Sequence, residues 1–306
     1  MTAGIRLGRL FGAPIVADAS AFILAVLFGA AVLIDLRSAG VGDSSRYWVV
    51  AVATGLGVLI SILLHEVSHA IVARQRGLHV RSIRLYLFGG YSVIDGKPNP
   101  LTEVLVALSG PLVSVVLGSG LWRWSDGAGS DTVLGRALLA LALANLAVGL
   151  FNLLPGFPLD GGRLLRGLLA AGGRDRVRAT AVATTVGQWI GYAAIGGGLW
   201  MLARREPLGV FVLVAGWYLI TTSARAGRRE QLSAAFDGMS VRDAMRPVPE
   251  PVSGNSSVST VIDLSRALGW LPPEAYVPSP RVKPKALTIW HTEDYLHALH
   301  AAETAQ

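Results

Sequence analysis

The segment Ser61–Ala70 reads Ser-Ile-Leu-Leu-His65-Glu66-Val-Ser-His69-Ala, a His-Glu-x-x-His sequence with uncharged, mostly apolar residues on both sides. In a helix, His65 and His69 lie one turn apart on the same face, so their ring nitrogens can converge on one zinc ion. Glu66 lies beside that face, where a carboxylate can act as a base toward water on the metal. Three ionisable groups in an apolar helix are costly in lipid, and such groups indicate a functional site. The simpler alternative is a polar seam between packed helices.

The composition is typical of an integral membrane protein. Of 306 residues, 52% are hydrophobic and only 15% are charged, and the mean hydropathy is +0.50. The net charge of +7 would suggest nucleic-acid binding in a soluble protein, but arginines gathered in cytoplasmic loops explain it here, and we expect no nucleic-acid partner. The chain has no cysteine, so a zinc ion must be held by histidine and carboxylate groups.

The hydrophobic segments predict an α-helical polytopic membrane protein with about six transmembrane helices and short membrane-associated β-hairpins. Residues 1–19 are predicted to form an N-terminal interfacial hairpin, residues 20–225 a six-span membrane domain, and residues 226–306 a small cytoplasmic tail. The predicted spans are Ser20–Leu36, Tyr47–Ala73, Leu101–Trp124, Val133 to about Leu154, Thr180–Leu202 and Pro207–Ser223.

Arginine clusters predict the orientation of these spans in the cell membrane. Clusters follow the second, fourth and sixth spans and place those ends, and both termini, in the cytoplasm. The pair Arg204-Arg205 is the one exception to the rule. The N-terminus lacks the apolar core and cleavage site of a signal peptide, so the first hydrophobic segment is expected to be retained.

Two segments depart from the helical pattern. Residues 79–94 read as two short strands around Gly89-Gly90, rich in β-branched and aromatic residues. The free edge of this hairpin suits pairing with an extended peptide, and the alternative is a hairpin that only packs. Prolines and glycines after Asn152 forbid a regular helix, so the fourth span is predicted to unwind and to present Asp160 on irregular backbone, at a depth similar to that of the two histidines.

The His-Glu-x-x-His stretch and the later sequence Asn152-Leu-Leu-Pro-Gly-Phe-Pro-Leu-Asp160 together resemble the site-2 protease family of intramembrane zinc metalloproteases. The signature of that family is a His-Glu-x-x-His in one transmembrane helix and a Leu-Asp-Gly sequence in a later one. The resemblance implies that His65, His69 and Asp160 bind one zinc ion per chain and that Glu66 is the catalytic base. It also implies that Asn152 helps to position substrate or to stabilise the oxyanion, and that the hairpin binds substrate as an added strand.

The resemblance covers about residues 4–225 and implies an endopeptidase that hydrolyses peptide bonds in or near transmembrane segments. The expected partner is a single-pass membrane protein substrate, for example a membrane-bound anti-sigma factor or transcriptional regulator. Two other classes stay open: a catalytically inactive scaffold that holds substrates, and a metal transporter. A transporter needs acidic or histidine residues along several spans, and the first, third and fifth spans offer almost none.

The tail carries a second, partial resemblance. Residues 238–268 resemble the start of a CBS domain, which follows the membrane domain in one subgroup of the family. Such domains come as tandem pairs that bind adenine nucleotides. Here the pattern is lost from Gly269 onward, which argues against adenine nucleotide binding by the tail.

Overall fold

The computed structural model describes residues 4–41, 44–86, 89–96, 98–129 and 131–236. The helices in these ranges are α1 (Ala19–Ala39), α2 (Tyr47–Gln75), α3 (Pro100–Ala128), α4 (Val133–Asn152), α5 (Asp160–Ala171), α6 (Arg176–Ala203) and α7 (Leu208–Ala235). The strands are β1 (Ile5–Leu10), β2 (Ala13–Ala17), β3 (Val80–Tyr86) and β4 (Gly89–Ile94). The predicted CBS-like segment at 238–268 lies outside the described residues.

Six of these helices have the length of membrane spans and coincide with the six predicted ones. They contain 20 to 29 residues, and at about 1.5 Å per residue even the shortest of them reaches across a hydrocarbon core of about 30 Å. Five, all except α6, are also apolar enough to cross a membrane. The helix α6 is 28 residues long, but its glycines and threonines lower its hydropathy. The protein is therefore an α-helical polytopic membrane protein.

The distribution of side chains is that of a protein surrounded by lipid. Large apolar side chains on the outer helix faces are mostly exposed, among them Val49 at 71% and Phe211 at 66%. Ionisable and polar groups lie inside, including the buried His65, Glu66 and Asn145. Lipid is as apolar as the outward-facing side chains, whereas polar groups must find partners within the protein.

The two predicted hairpins join into one sheet with the strand order β1-β2-β3-β4. Strands β1 and β2, and likewise β3 and β4, are antiparallel, while β2 and β3 pair in parallel with Ile15 opposite Ile83. Ile83 and Leu85 are at most 2% exposed and belong to clusters with residues of α2, and Ile83 also packs with Val106 of α3. Strand β4 is an edge of the sheet within the described residues. The pairing of β2 with β3 was not predicted from the sequence.

Three local predictions are corrected by the structure. The turn predicted at Gly89-Gly90 is wrong, because both glycines belong to β4. Asp160 is the first residue of α5, a helix that was not predicted, and the irregular backbone is confined to the preceding residues 153–159. The tail boundary predicted at 225 falls inside α7, because arginines end an apolar pattern without ending a helix.

Glycines bring α6 and α7 into close contact. A Cβ on Gly191 would lie 2.9 Å from the carbonyl oxygen of Gly216, and one on Gly198 would lie 2.8 Å from that of Gly209. Real Cβ atoms do not approach backbone oxygens so closely. Small residues at these positions therefore allow the two backbones to pack directly, as is common between membrane helices.

Candidate metal centre

The helix α2 carries the three ionisable residues of the His-Glu-x-x-His sequence into the protein interior. His65, Glu66 and His69 are 4%, 6% and 2% exposed. One ligand atom from each of them lies within 4.8 Å of the others, so these residues form a candidate metal cluster. The helical spacing predicted from the sequence is confirmed.

The carboxylate of Asp160 completes the cluster from a different helix. Its Oδ2 lies 3.1 Å from Nε2 of His65 and 3.1 Å from Nε2 of His69. Two ligands of one tetrahedral zinc, each held at about 2.0–2.1 Å, are about 3.3 Å apart. The three atoms therefore have the spacing of ligands that share one ion. This placement follows from the break between α4 and α5, which turns the first residue of α5 back toward α2.

The other ring nitrogen of each histidine has a partner in α3. Nδ1 of His69 lies 2.6 Å from the carbonyl oxygen of Val106, and Nδ1 of His65 lies 2.9 Å from Oγ of Ser114. A carbonyl oxygen only accepts hydrogen bonds, so Nδ1 of His69 must carry the proton. The lone pair of Nε2 is then free to bind a metal ion.

A glycine of α3 leaves space beside the two Nε2 atoms. A Cβ on Gly110 would lie 2.6 Å from Nε2 of His65 and closer still to Nε2 of His69. The segment Ser109-Gly110-Pro111 lies within an uninterrupted helix. The absence of a side chain at Gly110 therefore keeps room for an ion against both histidines, and the donor set of two imidazoles and one carboxylate fits zinc.

Glu66 faces strand β4 of the sheet. The hydroxyl of Ser92 donates to Oε2 of Glu66 at 2.9 Å and to the backbone oxygen of Glu66 at 3.2 Å. Gly90 of the same strand packs on the Glu66 side chain so closely that a Cβ there would overlap its Cγ atom. The edge strand therefore holds the carboxylate beside the histidines.

Asn152, predicted to position substrate, lies at the end of α4. Its amide nitrogen donates to the carbonyl oxygen of Val148 at 2.9 Å, within its own helix. No hydrogen bond among the described residues joins Asn152 to the histidines or to Asp160. The role predicted for Asn152 stays a prediction.

A buried ionic cluster links four helices next to this centre. Glu103 of α3 is 1% exposed, and its two carboxylate oxygens pair with Arg166 of α5 and Arg176 of α6. Glu230 of α7 pairs with the same two arginines, at 3.4 and 3.1 Å. Burial lowers the pKa of Arg166, and the neighbouring Glu103 opposes that effect. Because each charge has opposite partners, the cluster ties α5, which carries Asp160, to the three long helices.

The sequence alone did not single out Ser92, Ser114 or Gly90. Their contacts with Glu66 and His65 join segments that are 24 to 49 residues apart in the chain. A lone serine or glycine in an apolar helix or strand carries no signal of such a contact. The one indirect signal was the strand pattern of residues 79–94, which predicted a hairpin near the metal.

Comparison with known proteins agrees with the fold and shows the family of this chain. The chain matches the family models described as Peptidase family M50, over residues 127–194, and Peptidase M50B-like, over residues 45–155. The second match contains the His-Glu-x-x-His sequence, and the first contains Asp160. Rip3 of Mycobacterium tuberculosis, named as a zinc metalloprotease, is 32% identical over 268 residues, which are 86% of this chain and 68% of that protein. The chain belongs to peptidase family M50, a family of membrane zinc metalloproteases that includes the site-2 proteases.

Two further relatives support this membership. A protein of Synechocystis sp. that is also named as a zinc metalloprotease is 32% identical, over 81% of this chain and 66% of its own length. The chain thus spans about two thirds of the length of these curated relatives. Among solved structures, the site-2 protease from Methanocaldococcus jannaschii matches with a TM-score of 0.51 and 26% identity, over 74% of this chain and 95% of that one.

Proposed function

We propose that this chain is an intramembrane zinc endopeptidase that cleaves peptide bonds in or near transmembrane segments of membrane-bound substrates. The observation that carries the proposal is the position of Asp160 Oδ2, 3.1 Å from Nε2 of both His65 and His69 inside a bundle of membrane-spanning helices. A metal centre at this place serves a substrate that is itself in the membrane.

The residues that would hold the ion are His65, His69 and Asp160. Three protein ligands are typical of a catalytic zinc site, which keeps one position open, whereas structural sites have four. When bound, zinc would act as a Lewis acid that polarises a substrate carbonyl, and it would lower the pKa of a bound water to about 7.

Glu66 is the residue placed to move protons in this reaction. Its carboxylate takes a proton from the attacking water and delivers it to the nitrogen of the leaving amine. The hydrogen bond from Ser92 fixes Oε2 and thereby limits the rotation of the carboxylate. Glu66 directly follows His65 in the chain, and its carboxylate lies within 4.8 Å of the ligand atoms of both histidines. A carboxylate that binds the metal ion cannot also serve as the base. The Ser92 contact favours the role of base.

Strand β4 is the place where we expect the substrate to bind. One side of β4 pairs with β3, and within the described residues no strand covers its other side. A transmembrane segment must unwind before its carbonyl groups can be attacked, and pairing with an edge strand replaces the helical hydrogen bonds that are lost. We expect a preference for segments with Gly, Pro, Asn or Ser near the cleaved bond, because these residues weaken a helix.

The partner that suits this site is a single-pass membrane protein, such as a membrane-bound regulator. The arginine clusters after the second, fourth and sixth spans support an orientation with both termini in the cytoplasm. In that orientation the metal centre lies near the cytoplasmic side.

The test is cleavage of a co-expressed single-pass substrate by the wild type and by Glu66→Gln. We expect Glu66→Gln to retain zinc and to lose cleavage, because the amide cannot accept a proton. The control is Glu206→Gln, which removes an exposed carboxylate between α6 and α7 and should cleave normally. Unchanged cleavage by Glu66→Gln would refute the mechanism. Stable capture of substrate by the wild type, without cleavage, would favour the scaffold.

A further inference from the structure

A polar cavity lies beside the candidate metal centre. Its volume is about 140 Å³, and one water needs only about 10–15 Å³, so it has room for a side chain. The residues that matter to its chemistry are Ile94, Val106, Glu103, Arg163, Arg166 and Arg176. It is therefore lined by three arginines and one glutamate.

Arg163 is the arginine of this cavity that lacks a close carboxylate. Glu103 and Glu230 neutralise Arg166 and Arg176 through the ionic cluster described above. The nearest carboxylate oxygen to Arg163 is Oδ1 of Asp160, at 3.7 Å, which is longer than the usual 2.7–2.9 Å of a charge-assisted hydrogen bond. No hydrogen bond of the Arg163 guanidinium is found within the described part of the chain. The cavity therefore has a positive group with donors to spare.

The cavity is close to the place where a peptide would be cleaved. Ile94, in its wall, follows Ser92 by two positions along β4, and Ser92 contacts Glu66. Two residues of a strand cover about 7 Å. Val106, also in the wall, accepts the hydrogen bond from His69. A peptide paired with β4 at the metal centre therefore reaches the cavity within a few residues.

We propose that this cavity is a specificity subsite for an acidic side chain of the substrate, two to four residues from the cleaved bond. The proposal rests on the proposed proteolytic function. A guanidinium binds a carboxylate through two parallel hydrogen bonds, and Arg163 has the free donors to do so. Glu103 does not repel such a ligand, because both its oxygens are already bound to Arg166 and Arg176.

The test uses single-pass substrates that differ at one position only. Glu, Gln or Lys is placed in turn at each site two to four residues on either side of the cleaved bond, and kcat/KM is measured with purified wild type. At one of these sites we expect the Glu substrate to be cleaved about tenfold better than the Lys substrate, mainly through KM. Equal rates for all three substrates at every site would overturn the subsite.

Substitutions of Arg163 test whether this residue recognises the charge of the substrate side chain. Arg163→Gln should remove the preference for Glu, and Arg163→Glu should reverse it in favour of Lys. The control is Arg174→Glu, which makes the same change of charge at an exposed position between α5 and α6. It should keep the preference for Glu. A uniform loss for all substrates, with the preference intact, would mean that Arg163 acts only through structure, and would overturn the proposal.

The zinc content of each variant is measured in parallel, because Arg163 lies near Asp160. Cleavage of the Gln substrate that depends on Glu66 reports the proteolytic function by itself. If that cleavage is present without any preference for charge, the subsite is wrong and the proposed function stands. If the wild type cleaves none of the substrates, both are wrong.

Discussion

Replacing Gly110 by alanine tests whether the space beside the histidines serves the metal. The new Cβ would lie 2.6 Å from Nε2 of His65, whereas ordinary contacts begin at 3.4 Å. Nε2 of His69 would lie closer still, so the rings, or the helix α3, must move by at least about 0.8 Å in a closely packed interior. Metal sites keep ligand distances within about 0.2 Å. We expect zinc affinity to fall by about 100-fold, or about 2.7 kcal/mol, at the upper end of the range for residues that orient metal ligands.

The assay compares Gly110→Ala with Gly120→Ala in the same helix. A Cβ on Gly120 meets no atom within 4 Å, so this control carries the same change of sequence without the contact. Purified proteins are dialysed against zinc buffered at graded concentrations, and bound zinc per chain is measured by mass spectrometry, with cleavage in parallel. If Gly110→Ala binds zinc as tightly as Gly120→Ala does, the assignment of Nε2 of His65 and His69 as metal ligands is refuted.

Three further predictions concern neighbouring contacts. Asp160→Asn should lose zinc while Glu66→Gln retains it, as measured by zinc per chain, and the reverse result would exchange the ligand and the base. Ser92→Ala should lower kcat by about tenfold with little change in KM, because the Glu66 carboxylate loses its hydrogen bond, and an unchanged kcat in a cleavage assay would show that this bond is not needed. Glu103→Leu should destabilise the protein by about 3 kcal/mol, at the lower end of the range for breaking a buried ion pair, because buried Arg166 keeps only the longer contact with Glu230, at 3.4 Å, and thermal unfolding in detergent with an unchanged Tm would contradict this.

The sequence predicts those parts of the site that depend on local periodicity. His65 and His69 share a face because they are four positions apart in a helix. The long apolar segment around them predicts that helix, because a membrane span of this length and composition is helical. The depth of Asp160 followed from the arrangement of arginine clusters, which place the ends of the second and fourth spans on the same side. In the structure, Oδ2 of Asp160 lies 3.1 Å from Nε2 of His65 and 3.1 Å from Nε2 of His69.

Contacts between distant segments could not be predicted in the same way. The parallel pairing of β2 with β3 joins strands separated by more than 60 residues, and each strand pattern is equally consistent with an isolated hairpin. The contacts of Glu103 could not be predicted either. A glutamate in the first turn of a helix is usually exposed to solvent, whereas Glu103 in the first turn of α3 is buried. Its partners Arg166 on α5 and Arg176 on α6 become visible only when the helices are packed.

The helix α5 was missed for a different reason. It has only 12 residues and begins immediately after a segment rich in proline and glycine. The arginines after the fourth span indicate the cytoplasmic side but carry no signal for or against a helix, although arginine is a good helix former. This helix carries Asp160, Arg163 and Arg166, so it provides both a candidate ligand and the polar cavity.

The distance along the chain between the candidate ligands has a consequence for assembly. Asp160 lies 95 residues after His65. Closing a flexible loop of that length costs about 4 kcal/mol in chain entropy, so an unfolded chain offers an ion only the adjacent histidine pair. The complete set of donors exists only after α2, α3 and α5 have packed. An ion that binds this set stabilises the folded chain and acts as a reversible cross-link between its two halves. The supply of metal in the cell is thereby linked to the lifetime of the protein as well as to its activity.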